Sequence, residues 1–587
     1  MTNKNGFSGV LLAATLCCFS VLANGAVLQV GPGKPYSTPC AAIAAAANGD
    51  TVEIEAAGEY LGDVCAWNKN DLTIRGVNGR PHIQANGRYV QSKGIWVAGG
   101  RNLTIENIEM SGAELPPSIG TNGAAIRAEA TNWTVRNCYF HDNQNSILES
   151  NVAGSNILIE YTEFARNGHT SGQSHNLYIG HAASLIYRFN YSHDSVEGHL
   201  LKTRAAVNWI LYNRLSGESG TGSYEIDVPN GGTTYVIGNL IQQGPDSHNS
   251  TLLSYGAENV HPQNPGHDLY VINNTFVNQR PAGATFIRVD ARGGVPALVS
   301  NNIFAGPGTL AAGLAPVLVA NLQVSDPTQA SFADYANFDY RLTAGSPAVN
   351  AGAEPGLAAD GTPLAPVAQY VHPTAAEERI TSEVIDIGAY EYHDPTPPVI
   401  TPVVQGPQGA GGWYTGGVTI GWSLSDPETG IASSTGCENT VLTQDTAGVT
   451  LTCSAVNRAG LSSSASVTVK IDKTAPVIAG LPAPGCSLWP PNHKLVTVGT
   501  VTAYDALSGL VPATFQVTGA SNQPAEPASP DIVISPSGAG GFTVQLRAER
   551  LGNAGSRIYT LTATAADAAG NAATVVRTCT VPHDQGN

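Results

Sequence analysis

The chain has 587 residues, a formal net charge of −17 and only 12% charged residues. This length predicts two to four domains. The negative charge argues against nucleic acid as a partner, because phosphate binding requires a basic surface. It is compatible with an acidic polysaccharide, provided that the binding groove is locally basic or holds a divalent cation.

The first 26 residues have the pattern of a secretory signal peptide. Lys4 precedes the apolar stretch GVLLAATLCCFSVLA, and small residues follow around Ala23 and Ala26. A positive start, a short apolar core and a small-residue cleavage site are the features of such signals. We therefore expect residues 1–26 to be removed from a secreted protein that stays extracellular, periplasmic or at the cell surface. No later stretch is apolar enough to span a membrane.

Seven cysteines follow the predicted signal peptide, and an oxidising compartment favours disulfides. Neighbouring positions predict three local bonds, and Cys138 is expected to be buried as a small hydrophobic residue. The expected pairs are Cys40–Cys65, Cys437–Cys453 and Cys486–Cys579.

A repeat of short alternating strands runs from about Val27 to Tyr392. Most repeats contain an asparagine step, with intervals of 23 to 35 residues between the positions. Such a period predicts a solenoid in which each coil buries its apolar face against its neighbours. Asparagine at one corner of every coil predicts a ladder of side-chain amides. The ladder positions are predicted at 107, 137, 161, 190, 213, 239, 274 and 302, with Tyr161 and Asn190 where the pattern slips.

The C-terminal third differs from the repeat region. The proline-rich linker HDPTPPVI starts at His393, and two segments rich in Thr, Ser and Val follow it. Alternating patterning with turn signals predicts a β-sandwich for each segment. The predicted domains are thus a parallel β-helix over 27–393 and sandwiches over 396–475 and 477–583, which makes the fold class all-β.

Charged residues of the repeat region can be aligned in one column. Strand alternation places Lys202 and Arg204 outward, and it does the same for Glu225 and Asp227 one coil later. The outward set also includes Tyr178, Arg127, Glu129, Arg288 and Asp290. Four histidines are concentrated in the same stretch, namely His175, His181, His193 and His199.

This column suggests β-elimination from a uronic-acid polymer. The reaction requires a cation at the substrate carboxylate, a base for the C5 proton and an acid for the leaving oxygen. Lys202 is the first candidate base, since the like charge of Arg204 favours a neutral amine, and His199 is the second. The remaining expected roles are the acid (Tyr178 or His175), the carboxylate ligand (Arg204), a Ca²⁺ site (Glu225, Asp227) and substrate contacts (Arg127, Arg288, Asp290, Glu149).

Several strings resemble known bacterial proteins. YRLTAGSPAVNAG from Tyr340 and IDIGAYEY from Ile385 resemble the closing segments of secreted pectate-lyase-like β-helix proteins. IDKTAP and LWPPNHKLV, the latter from Leu488, resemble bacterial Ig-like modules. The resemblance implies a right-handed parallel β-helix with two C-terminal Ig-like sandwiches, and a site similar to that of calcium-assisted polysaccharide lyases.

Two other readings of the column stay open. A glycoside hydrolase would use two carboxylates among Glu225, Asp227 and Asp290, and an epimerase would share the base and the neutralising groups of a lyase. Alternatively, the protein is a non-catalytic adhesive or carbohydrate-binding protein of the cell surface or cell wall, because fold alone does not confer activity. We expect a monomer in every case.

Overall fold

The computed structural model describes residues 25–170, 172–381, 384–525, 529–538 and 540–584. The predicted signal peptide lies almost entirely outside these residues. The chain forms two compact units that divide between Tyr392 and His393. No helix in the described part of the chain is long and apolar enough to cross a membrane.

The first unit is a parallel β-solenoid of about 11 turns, which confirms the predicted coil architecture. Its strands form three faces, of which the first two belong to one 20-stranded sheet. The first face comprises Cys65–Asn70, Gly94–Glu106, Ala124–Arg136, Asn145–Glu149, Leu177–Ile179, Leu201–Thr203, Ile226–Val228, Thr251–Tyr255, Ala284–Val289 and Gly308–Gly313.

The second face comprises Val27–Val30, Thr51–Glu55, Thr73–Val77, Asn156–Glu160, Ser184–Arg188, Val207–Leu211, Thr233–Ile237, Leu269–Ile272, Leu298–Ser300 and Val317–Val319. The two 13-residue strands that start at Gly94 and Ala124 run through both faces and join them. The third face comprises Tyr60–Leu61, His82–Gln84, Glu109–Ser111, Tyr139–His141, Glu163–Ala165, Tyr191–His193, Arg214–Ser216, Leu240–Gln243, Thr275–Asn278, Ile303–Ala305 and Leu322–Val324.

A ladder of asparagine amides closes one interior corner of the coils. The Nδ2 of Asn213 donates to Oδ1 of Asn239 over 3.0 Å, and Asn239 repeats the contact to Asn274. Each amide also bonds a backbone carbonyl, as Asn239 does at Ile210. The ladder consists of the buried Asn190, Asn213, Asn239, Asn274 and Asn302, and it ends at the half-buried Asn321.

The ladder prediction is wrong by one residue at its start. Asn107, Asn137 and Tyr161 have φ values of 54°, 52° and 52°, so they occupy the left-handed corner before the ladder position. Asn107 and Asn137 bond each other outside the interior row. Thr162 takes the ladder position in that coil and bonds Asn190 through its N–H. The corner and ladder positions are adjacent in the chain and both can hold asparagine, so the sequence alone does not distinguish them.

A short helix, Pro39–Ala45, covers the start of the solenoid, with Thr38 as its N-cap. The Cys40–Cys65 disulfide ties this helix to the first face, and Cys437–Cys453 and Cys486–Cys579 form in the second unit. All three predicted pairs are confirmed. Cys138 is free and buried, also as predicted, and burial raises its thiol pKa to about 12.

The C-terminal part of the first unit packs against the last coils. It contains short 3₁₀ turns and two hairpins, and the chain then reaches a buried pair of Arg379 and Glu391, 2.8 Å apart. The hairpins are Phe332–Asp334 with Asp339–Leu342, and Ala368–Val371 with Ala375–Glu378. The 3₁₀ turns of this unit are Ala291–Gly293, Pro327–Ala330 and Tyr335–Asn337.

The second unit contains antiparallel sheets that form two sandwiches. The first sandwich has sheets of Val399–Gln405, Val418–Ser425 and Thr440–Leu442, and of Trp413–Tyr414, Ser462–Ile471, Thr446–Asn457 and Ile431–Thr435. The second has Val477–Ala479, Leu495–Tyr504, Phe542–Arg547 and Ile532–Pro536, and Cys486–Ser487, Ala572–Val581, Arg557–Ala566 and Gln516–Ser521, with a 3₁₀ turn at Pro512–Thr514.

Candidate functional site

Parallel register aligns side chains on the first face into one outward column. Tyr178 pairs with Lys202, Lys202 with Asp227, and Asp227 with Ser254 in successive coils. From Arg127 to Arg288, the column consists of Arg127, Leu148, Tyr178, Lys202, Asp227, Ser254 and Arg288. Stacking therefore brings together residues that lie 21 to 34 positions apart in sequence.

One carboxylate bridges the two cations of the column. Glu258 Oε1 lies 3.2 Å from Lys202 Nζ, and Glu258 Oε2 lies 2.7 Å from Arg204 Nη2. Lys202 Nζ also pairs with Asp227 Oδ2 at 3.2 Å. Arg204 Nε donates to the hydroxyl of Tyr178 over 2.8 Å. Lys202 and Arg204 thus form a receptor of the kind that binds a carboxylate.

The two predicted histidines stack beside this receptor. The ring centroids of His175 and His199 are 4.5 Å apart, and Tyr224 follows at 5.0 Å. Burial and the nearby Lys202 and Arg204 lower the pKa of His175 to about 3. Burial, with His175 and the same cations, holds the pKa of His199 well below its ordinary value. Both rings are therefore neutral at physiological pH.

Backbone contacts assign the tautomer of each ring. The Nδ1 of His175 accepts the N–H of His199 over 3.0 Å, and the Nδ1 of His199 accepts the N–H of Tyr224 over 3.3 Å. A neutral imidazole that accepts at Nδ1 carries its proton on Nε2. The Nε2 of His199 faces Asp227 Oδ2 at 3.6 Å. Both histidines are hydrogen-bond donors at this site, and neither offers a free lone pair to act as a base.

Asp227 is the acid of the column and is almost fully enclosed, with 2% of its surface exposed. Burial raises its pKa, and the charge of Lys202 opposes that shift. Its Oδ2 lies 3.2 Å from Lys202 Nζ, so the carboxylate and the ammonium are within hydrogen-bond reach of each other. Glu258 is different, because its side chain is 47% exposed and its ion pairs with Arg204 and Lys202 lower its pKa despite partial desolvation.

The loop that carries Glu258 is anchored from two sides. Arg292 donates to the carbonyl of Ala257 and to Oδ1 of Asn259, while it pairs with Asp290 at 2.6 Å. Asn230 donates to the carbonyl of Asn259 and accepts from Arg204. Asp290, predicted as a substrate contact, instead holds the arginine that positions this loop.

Two predicted acids do not reach the column. The strand here covers only Ile226–Val228, so Glu225 precedes the alternation and points into the interior, where its Oε2 lies 3.3 Å from Gln243 Nε2. Burial raises its pKa well above the ordinary value. The predicted outward doublet of Glu225 and Asp227 is therefore wrong. With Lys202 on Asp227, these two residues do not fit a Ca²⁺ ion.

Glu149 is the second acid that the structure removes from the substrate face. Its two carboxylate oxygens accept the N–H groups of Asn151, Val152 and Gly180, and the residue is 2% exposed. It closes a turn. Arg127 lies in the column but donates to the carbonyl of Asn122 over 3.3 Å.

Sequence reasoning missed Glu258 and Asn230. Glu258 lies in the loop between Thr251–Tyr255 and Leu269–Ile272, where no strand alternation indicates its direction. Asn230 belongs to the PNGG turn after the strand of Asp227, and only that adjacency could have marked it. The ring of His181 lies beside that of His261, a residue of the Glu258 loop, with centroids 4.4 Å apart and planes tilted by 42°.

A cavity of about 390 Å³ lies elsewhere in the first unit, against the third face. Arg214 lines it, but this arginine already pairs with Glu218 at 2.8 Å and lies near the rings of Tyr191 and Phe338. A second arginine, Arg341, also lines the cavity and pairs with Asp339 at 2.5 Å, so each arginine has a carboxylate of its own. We place the functional site on the first face, where one carboxylate bridges two cations.

Comparisons with known proteins add little. No family model and no curated protein matches the chain. Among solved structures, the extracellular cadherin domains 1–4 of protocadherin gamma B7 are similar at 12% identity and a TM-score of 0.18, covering 31% of this chain and 49% of that one. The protocadherin gamma B4 extracellular domain is 20% identical with a TM-score of 0.18, covering 32% and 34%. The chain thus spans less than half of either structure, and similarity at this level supports no assignment.

Proposed function

We propose that the chain is a polysaccharide lyase that cleaves a uronic-acid-containing glycan by β-elimination on its first face. The bridge that Glu258 makes between Lys202 and Arg204 carries the proposal. It supports a site in which two cations receive one carboxylate, and a uronate carboxylate can take the same position. Arg204, which stays charged throughout, stabilises at that carboxylate the charge that develops when the neighbouring C5 proton leaves.

The same cluster supplies the proton transfers. Lys202 transfers a proton to Asp227, and its amine then removes the proton from C5 of the bound uronate. The C4–O bond breaks as the C4–C5 double bond forms, and the Tyr178 hydroxyl protonates the leaving oxygen. Water then reprotonates Tyr178, and Asp227 releases to solvent the proton that it took from Lys202, which restores the starting charges of both residues. Neutral His199 and His175 donate hydrogen bonds to the bound sugar.

The column is long enough for an extended glycan. Arg127 and Arg288 lie six coils apart, which is roughly 29 Å at the usual strand spacing. In this proposal Arg288, which is exposed at one end, binds a further uronate carboxylate. Asp290 acts indirectly, through the loop of Glu258. The substrate class is therefore a polymer with repeated carboxylates.

The remaining features fit an exported enzyme. The solenoid and three disulfides support a secreted protein similar to the pectate-lyase-like group. In this proposal the two sandwiches are Ig-like modules that attach or space the catalytic unit at the cell surface or cell wall, and the protein is a monomer. Ca²⁺ takes no step in the mechanism.

The test is a screen of acidic polysaccharides with the purified protein, following the ultraviolet absorbance of the new C4–C5 double bond. We expect Lys202→Met and Tyr178→Phe to abolish product formation, because each removes a proton-transfer group. Lys93→Met, which removes a lysine paired with Glu129 outside the cluster, is the matched control and should retain activity. Circular dichroism checks that every variant is folded.

The products also separate the alternatives. New reducing ends without the absorbance indicate a hydrolase, and unchanged chain length with altered sugar composition indicates an epimerase. Binding without turnover supports the adhesive alternative. Full activity of Lys202→Met on a cleaved substrate would refute the assigned base. Equal rates with and without added Ca²⁺ are expected.

A further inference from the structure

A second cluster of chemically active side chains lies on the third face, in the strands that begin at His82, Glu109 and Tyr139. His82, Glu109 and His141 occupy successive coils, and their ligand atoms all lie within 4.8 Å of one another. His141 Nε2 is 3.1 Å from Glu109 Oε1, and His82 Nδ1 is 3.4 Å from the same oxygen. Two imidazoles and a carboxylate therefore converge on one point.

Neighbouring groups orient both rings toward that point. His141 Nδ1 lies 2.6 Å from Asp142 Oδ2, so the Nδ1 proton is donated there and the Nε2 lone pair faces Glu109. Arg166 fixes Asp142 with two bonds of 3.0 and 2.9 Å. The ring of His141 also stacks on Tyr139 with centroids 4.4 Å apart.

The second ring has the same arrangement. His82 Nε2 donates to Ser111 Oγ over 2.8 Å, which leaves the Nδ1 lone pair on the side of Glu109. The amide of Gln84 lies 3.2 Å from Nδ1, and metal binding requires that single contact to open.

The spacing agrees with a tetrahedral ion. Zinc bonds to nitrogen and carboxylate oxygen are about 2.0–2.2 Å, so neighbouring ligand atoms in a tetrahedron lie about 3.3 Å apart. The two measured edges at Glu109 Oε1, 3.1 and 3.4 Å, already have this length. Three electron-pair donors at these distances repel one another unless a proton or a cation lies between them.

The surroundings of His141 are repeated around His193, two coils later in the solenoid. His193 contacts Glu163 at 3.2 Å and Asp194 at 2.8 Å, and it stacks on Tyr191 at 4.0 Å, which repeats the surroundings of His141. Tyr139 fills the register position on the other side of Glu163, so this copy has no second histidine. Burial lowers the pKa of His193, but the two carboxylates more than offset that effect and raise it. At this position a proton on the His193 ring removes the repulsion between the ring nitrogens and the oxygens of Glu163 and Asp194.

We propose that His82, Glu109 and His141 form a binding site for a divalent first-row transition metal, of which Zn²⁺ is the best match. Two imidazoles and one carboxylate leave one coordination position open to water. The metal joins three consecutive coils near the start of the solenoid. It is independent of the lyase site, because none of its ligands lies on the first face.

The experiment is a calorimetric titration of ZnCl₂ into the full exported chain without an affinity tag, in excess Ca²⁺ to occupy carboxylate clusters. We expect one high-affinity site, a loss of at least about 100-fold in His82→Ala and His141→Ala, and a loss of about 10- to 100-fold in Asp142→Asn. His193→Ala, the matched control, should bind as the unaltered protein does. Co²⁺ should give the intense visible bands of a four-coordinate ion.

Three results would overturn the site. These are the absence of stoichiometric Zn²⁺ binding, equal affinity in His82→Ala, or an equal loss in His193→Ala and His82→Ala. The last two would mean that the metal lies elsewhere or binds only unspecifically. If His82→Ala is unfolded by circular dichroism, His82→Gln takes its place, since glutamine keeps the volume and removes the imidazole. Weak six-coordinate Co²⁺ bands would also contradict the tetrahedral assignment.

Discussion

Substitution of Asn239 by alanine tests what holds the coils in register. Asn239 lies in the middle of the buried amide ladder and is fully enclosed. Its Oδ1 accepts from the N–H and the Nδ2 of Asn213, over 2.9 and 3.0 Å. Its Nδ2 donates to Asn274 Oδ1 and to the carbonyl of Ile210. Alanine removes all of these bonds at once.

The expected cost follows from the groups left behind. The N–H of Asn213 loses its acceptor, and a buried donor without a partner costs about 1–3 kcal/mol. Lost bonds to Ile210 and Asn274, together with the small cavity, raise the total to about 3–5 kcal/mol. Asn156→Ala is the control, because Asn156 belongs to an exposed amide row on the second face. Water replaces its partners, so its cost should stay below about 1 kcal/mol.

Hydrogen exchange read by mass spectrometry measures the effect without assuming that the two units unfold together. Peptides covering the strands that begin at Val207 and Thr233 should lose protection equivalent to the expected free energy. Peptides of the sandwiches should not change. A loss below about 1 kcal/mol in Asn239→Ala, or one equal to that of Asn156→Ala, would refute the structural role of the ladder.

Three further predictions concern the candidate site. Glu258→Gln should lower the KM for the acidic glycan several-fold with little change in kcat, because its carboxylate competes for the two cations; initial rates measure this, and a higher KM would contradict it. The pKa values of His175 and His199 are lowered below 6.5 in the folded protein. The unfolded chain therefore binds more protons than the folded chain between about pH 3 and 6.5, so the free energy of unfolding falls as the pH drops through that range. Urea midpoints across that range should show a flatter slope in His175→Asn, and an unchanged slope would mean that the ring is not buried as described. Glu149→Gln should reduce stability by about 1–3 kcal/mol through a lost turn acceptor while leaving the KM unchanged, and a raised KM with unchanged stability would restore it as a substrate contact.

The sequence was sufficient to predict the architecture because solenoid physics is periodic. A repeat of roughly 28 residues, with asparagine at one corner, can bury its apolar residues only by stacking coils. The same periodicity correctly aligned Tyr178, Lys202 and Asp227. The disulfides also followed from sequence. Two pairs are close along the chain, and the third joins cysteines near the two ends of the second sandwich.

The sequence was insufficient wherever strand alternation stops. The alternation was extended two residues too far before Ile226. It therefore predicted an outward Glu225, whereas this residue lies at a bend before the strand and faces inward. It gave no information about Glu258, because the direction of a loop side chain depends on the tertiary contacts that Arg292 and Asn230 make. Charge patterns show which residues can pair. Whether they do pair depends on where each strand begins and ends.

The histidines of the third face are a site that the charged column did not indicate. His82 and His141 are 59 positions apart and were not part of the charged column, yet two register steps bring them to one carboxylate. A solenoid thus converts a sequence distance of two repeats into a few ångströms, on any face. Because every coil buries its inward residues against its neighbours, and the interior ladder also joins the later coils, outward residues can differ from coil to coil without loss of register. That separation of scaffold from surface allows one chain to hold a carboxylate receptor on its first face and a histidine–carboxylate cluster on its third.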